Sequence, residues 1–178
     1  ELRGIAITPT SNVEERVDEN TTVFFKSYQD GDIIARIANP SVDLGCVEAT
    51  VVESGTTAQT IMVGEETGNR ADKVFEITND MMSARYDLGL YLTTEELGGL
   101  AETTLKIGKI VGDLESPTGI IIDDMTTVEA VGDLGFQFIS EGANGAFQGF
   151  STFVLTDIAE VAPPLAVDLL DFNVRLTD

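Results

Sequence analysis

Histidine and tryptophan are absent, cysteine occurs once, and cations are scarce: ten Lys and Arg stand against 31 Asp and Glu, a formal net charge of −21. Each shortage excludes something. Without His, the usual general base and the commonest zinc ligand are missing. A single Cys cannot form an internal disulfide, so the core must hold the fold unaided. The negative field repels phosphates, which makes nucleic acid and anionic lipid head groups poor partners. No apolar segment reaches the ~18 residues of a membrane-spanning helix, and no signal peptide is visible. The chain opens on Glu1 instead of Met, which reads as a processed or excised piece of a larger protein.

What remains is ordinary for a folded domain. Hydrophobic residues at 43% and charged residues at 23% place the chain among globular proteins, not disordered ones. Its length suits one domain with a sizeable core, although two small tandem sandwiches would also fit.

Short β-prone runs alternate with turn residues throughout. Residues 21–28 (TTVFFKSY) and 33–37 flank Gln29-Asp30-Gly31-Asp32, a hairpin signal. Residues 47–52 (VEATVV) alternate apolar and polar side chains, as a half-buried strand does. Further strands are expected at 60–63, 73–78, 85–92, 104–111, 119–122, 126–131, 135–139 and 147–155. An acidic loop is expected at 64–69, and a turn at 142–145. In 147–155, Phe147, Ser151, Phe153 and Leu155 share one face and Phe150 takes the other. Thr93-Thr94-Glu95-Glu96-Leu97 reads as the start of a short helix that Gly98-Gly99 stops. Phe24 and Phe25 are adjacent, so one must face away from the first core. The sum is an all-β, antiparallel β-sandwich or jelly roll with one short helix. The sandwich is assigned to 1–162, and 163–178, after Pro163-Pro164, to a linker opening the next region.

Four segments resemble a module of large secreted cell-surface proteins of the Bacteroidetes lineage, exported by the type IX (gliding-associated) route. Residues 43–51 (DLGCVEATV) are similar to its Gly-Cys-Val strand. Residues 73–79 (KVFEITN) with 84–97 (ARYDLGLYLTTEEL) resemble its Phe-x-Ile-Thr … Tyr-Asp … Leu-Tyr … Thr-x-x-Glu-Leu stretch. Residues 149–155 (GFSTFVL) resemble its closing strand, and 164–172 (PLAVDLLDF) the linker before the sorting region, with Ala166 where the family has Pro. The resemblance implies an extracellular or cell-surface location and an accessory role. It carries over no known active site.

The reactive residues point the same way. Ser27 and Ser151 lack a His partner and any Gly-x-Ser-x-Gly elbow. No nucleotide-binding or zinc-protease motif is present. With 31 acidic residues, some pair at glycosidase spacing is unavoidable and uninformative. Calcium is the more plausible ligand, since it takes carboxylate and carbonyl oxygens from turns. Asp123 and Asp124 are the best candidates, with Asp30 and Asp32 next and Asp18-Glu19-Asn20 third. The competing reading is that turn Asp residues cap their own backbone. Cys46, at the start of an apolar run, reads as a small buried hydrophobe. Tyr28, Tyr86 and Tyr91 read as core or cross-strand residues, not a sugar-stacking platform. The expectation is a non-catalytic surface module with a structural, adhesive or self-assembling role, whose partners are neighbouring domains or copies of itself. The alternative is a carbohydrate-binding or accessory domain of a secreted hydrolase that meets surface glycans.

Overall fold

The structure, a computed structural model, describes residues 12–28, 31–132, 135–142 and 147–162. The linker expected at 163–178 lies outside the described residues. The strands are β1 (Asn12–Val17), β2 (Thr22–Lys26), β3 (Ile33–Ala38), β4 (Gly45–Glu53), β5 (Gln59–Val63), β6 (Glu66–Thr78), β7 (Arg85–Thr93), β8 (Lys106–Asp113), β9 (Ser116–Ile122), β10 (Thr127–Val131), β11 (Gly135–Ser140), β12 (Phe147–Gln148) and β13 (Ser151–Thr156). They form two antiparallel sheets, as the alternation predicts. One sheet runs β1-β4-β6-β13-β8-β9, with β5 beside β6; the other runs β10-β11-β7-β3-β2, with β12 beside β7.

The period of two builds the core. In β4, Val47, Ala49 and Val51 are buried while Cys46, Glu48 and Thr50 look outward. They join Phe75, Ile77, Leu88, Leu90, Leu92, Phe138 and Phe153 between the sheets. A second, smaller core covers part of the outer face of the first sheet. There Ile61 and Val63 of β5 pack with Val74, Ile110, Ile120, Ile122, Val154 and Ile158. The length of β6 makes this possible: its first half pairs with β5, and its second half lies between β4 and β13.

Several local expectations change. The segment at 147–155 is two strands, because β12 pairs with β7 in one sheet and β13 with β6 and β8 in the other. The chain crosses at Gly149, whose φ is 66°. A Cβ there would sit 2.6 Å from the Met82 carbonyl oxygen. The crossing turns Phe150 into the core, where it stacks on Tyr86. The acidic loop at 64–69 shrinks to a tight turn, since Glu66 already belongs to β6.

The short helix expected after Thr93 is a set of turns. Its cap nevertheless forms: Thr93 N donates to Glu96 Oε2 at 2.8 Å, and Glu96 N donates to Thr93 Oγ1 at 3.1 Å. Gly98 and Gly99, with φ of 62° and 85°, then end the turn. The helical geometry among the described residues is a 3-10 turn at Glu102–Thr104. Strand β1 is unforeseen because as an edge strand it buries only Val13 and Val17.

Candidate functional site

Asp30 lies outside the described residues. Asp32 is buried in the β2–β3 connection, where its carbonyl oxygen accepts Ser27 N at 2.8 Å. Asp123 serves its own turn: Oδ1 accepts Met125 N at 3.0 Å, and its carbonyl oxygen accepts Thr126 N at 3.0 Å and Thr126 Oγ1 at 2.6 Å. Asp124 is exposed beside it. The third cluster is tied to a cation, since Arg16 Nε meets Asp18 at 2.8 Å and Nη2 meets Asp43 at 2.9 Å. These carboxylates, Asp18 first, push the Arg16 guanidinium up from its ordinary pKa. Among the described residues, no three acidic or Cys side chains come together as a metal cage.

The serines are structural in their contacts. Ser151 Oγ donates to Ile110 O at 2.7 Å, and Ser27 is buried at the end of β2. Tyr86 is buried, which pushes its hydroxyl well above the ordinary range, and it donates to Gly149 O at 2.9 Å. Tyr91 is pushed up to about 12, by burial first and by Glu129 second, against the opposing pull of Arg36. Tyr28 departs from expectation. It is 75% exposed, because it follows the end of β2, and its hydroxyl donates to Glu14 O at 3.2 Å. Of the adjacent pair, Phe25 is in the core and Phe24 is partly exposed.

Buried charge is where the structure adds most to the sequence reading. Lys73 of β6 and Glu96 of the turn after β7 are 1% and 0% exposed. Lys73 Nζ lies 3.1 Å from Glu96 Oε1 and 3.2 Å from Oε2, and 5.6 Å from the Phe75 ring centre. Two signals in the sequence point here. Lys73 occupies the inward phase of Ala71, Phe75 and Ile77, and Thr93-x-x-Glu96 is a capping-box spacing. Arg70 reaches Glu53 at 2.7 Å and the carbonyl oxygens of Ala71 and Asp72 at 3.0 and 2.8 Å. Asp87, 4% exposed, accepts Asn39 Nδ2 at 2.8 Å and Gly142 N at 3.2 Å.

Among the described residues, two open clefts stand out. One of about 530 Å³ is lined by Glu53, Ser54, Gln59, Thr60, Arg70, Asp72 and Glu115. The other, of about 350 Å³, is bordered by Asn79, Met82, Asp113, Phe150 and Thr152 among others. Cys46 is exposed on the outer face of β4, opposite Arg16 of β1, and not buried as its apolar neighbours suggest. No family model, no curated protein and no solved structure matches the chain.

Proposed function

We propose that this chain is a non-catalytic module of an extracellular surface protein, with a structural role exercised through neighbouring domains or further copies of itself. One observation carries the reading: the buried Lys73–Glu96 pair and the Asp87–Asn39 contact brace the frame and line neither of the two clefts described, and Arg70–Glu53 ties β6 to β4 at the edge of the larger one. The path of the chain supports it. Asn12 stands opposite Thr50, Thr50 opposite Glu76, and Glu76 opposite Thr152. The same row continues one step past the Phe153–Lys109 pair to Ile110, then to Ile120 and Val161. Asn12 and Val161 therefore lie on opposite edges of one sheet, roughly 30 Å apart at ~4.8 Å per strand, and both segments run in the same direction. That arrangement transmits a pull across the sheet. The strongly acidic surface suits a chain kept apart from its neighbours except at specific contacts. The resemblance of 43–51, 73–97 and 149–155 to the secreted Bacteroidetes module supports the surface location.

Light scattering from dilute to concentrated protein, with calcium and then with chelator, tests the reading. Growth into oligomers supports self-assembly, and growth only with calcium adds the ion to it. A compact monomer in every condition removes self-assembly. A second reading, glycan binding, is favoured by the 530 Å³ cleft, whose carboxylates, amide and guanidinium suit sugar hydroxyls. Saturable binding on a glycan array, abolished by Arg70→Ala in folded protein, would make it the leading one.

A further inference from the structure

We propose that Lys73 and Glu96 condense to an intramolecular amide that joins the two sheets covalently. Lys73 belongs to β6 of one sheet, and Glu96 to the turn that continues β7 of the other. Both side chains are sealed from solvent, so water, which hydrolyses or competes, is excluded from the reacting pair. Nζ stands 3.1 and 3.2 Å from the two carboxylate oxygens, which holds the amine against the carboxyl group whose carbon it must reach.

The carboxylate is also asymmetric in the way an acyl transfer needs. Oε2 accepts the Thr93 backbone N–H at 2.8 Å, the distance of an oxyanion-hole donor. Oε1 has the 3.1 Å ion-pair contact with Nζ but no hydrogen bond of good geometry. The Thr93–Glu96 cap fixes this orientation from both ends.

The step balances without a co-reactant. A proton passes from the Lys73 ammonium to the carboxylate through its hydrogen bond with Oε2, leaving a neutral amine and a neutral acid whose proton comes to rest on Oε1, the oxygen with no other hydrogen bond. This removes two charges from a site closed to water. Nζ attacks Cδ, forming the C–N bond, and the negative charge that develops on Oε2 is held by Thr93 N–H. The C–Oε1 bond then breaks, and Oε1 leaves with a second proton from nitrogen as one water. No oxidant or reductant takes part. The product is a secondary amide, which needs no further counter-charge in the core.

The inference is independent of which partner the module meets, and its test is separate from light scattering. Intact-mass measurement of the full chain is expected to fall short of the sequence mass by one water. Tryptic digestion is expected to leave Lys73 uncut and to yield peptide 71–85 joined to peptide 86–106. Lys73→Met is expected to restore the full mass and release 86–106 as a single peptide. A wild-type chain at full sequence mass overturns the proposal. So does a water loss located elsewhere, with Lys73 cleaved normally. The wild-type digest decides the matter even where Lys73→Met fails to fold.

Discussion

Tyr86 and Phe150 stack with ring centroids 4.8 Å apart and planes 12° from parallel, while the Tyr86 hydroxyl donates to Gly149 O at 2.9 Å. This pair clamps the point where the chain leaves one sheet for the other. Phe150→Ala is expected to cost about 3–5 kcal/mol, the range for emptying a buried aromatic site. Tyr86→Phe keeps the stack and orphans the Gly149 carbonyl, for a loss of about 1–3 kcal/mol. Urea unfolding measures both as shifts of the midpoint at constant slope. Equal losses for the two variants would mean that the hydrogen bond holds the crossing as much as the stack does.

The crossing also sets apart two glycines of similar backbone conformation. At Gly149, with φ 66°, an added methyl would meet the Met82 carbonyl oxygen at 2.6 Å, whereas at Gly64, with φ 62°, it would meet nothing within 4 Å. Gly64→Ala carries the left-handed strain alone, about 1–2 kcal/mol. Gly149→Ala carries that strain and a backbone clash, and is expected to lose at least about 1 kcal/mol more. Thermal midpoints of the two variants give the comparison. A Gly149→Ala protein as stable as Gly64→Ala would show that the 79–84 loop yields to the added methyl.

Alkaline pH separates the folded from the unfolded chain through Tyr91. Its hydroxyl titrates near 12 in the folded chain, against about 10 in an unfolded one. The folded state therefore holds this proton more tightly. The associated stability is complete below pH ~10 and is lost as pH rises toward ~12. Unfolding free energy measured between these limits is expected to fall with pH. Tyr91→Phe, which has no proton to lose, is expected to flatten part of that slope.

Most of the frame is legible in the sequence because the two-residue period survives wherever one face is buried. The strands at 33–38, 59–63 and 135–140 stand within a residue or so of their expected limits. Legibility fails where a different force decides. β1 is polar because an edge strand buries little, so its pattern carries only Val13 and Val17. Counting twos through Gly149 puts Phe150 on the outer face, but the count restarts there in another sheet. The turn after Thr93 shows a true cap with no helix behind it, since Gly98 and Gly99 take the chain out of helical geometry. The Lys73–Glu96 pair joins residues 23 apart in sequence. Only packing the two sheets together brings them to one place, although the inward phase of Lys73 is visible beforehand.

Cys46 tests the register of β4 directly. It stands opposite Arg16 in the outward phase, with Val47, Ala49 and Val51 inward. An outward thiol reacts with a water-soluble disulfide reagent in the native protein, without denaturant, at one equivalent per chain. Burial in the inward phase would hold the reaction back until the chain opened, and opening of a stable domain costs about 5–15 kcal/mol. The two outcomes therefore differ by orders of magnitude in rate. A thiol silent until denaturant is added would require β4 to slip by one residue, because the side-chain period is two. That slip would turn Val47, Ala49 and Val51 out to solvent and bring Glu48 and Thr50 into the core. Fast native labelling is expected, and with it the register that pairs Glu48 with Glu14 and Thr78 across the outer face of the sheet.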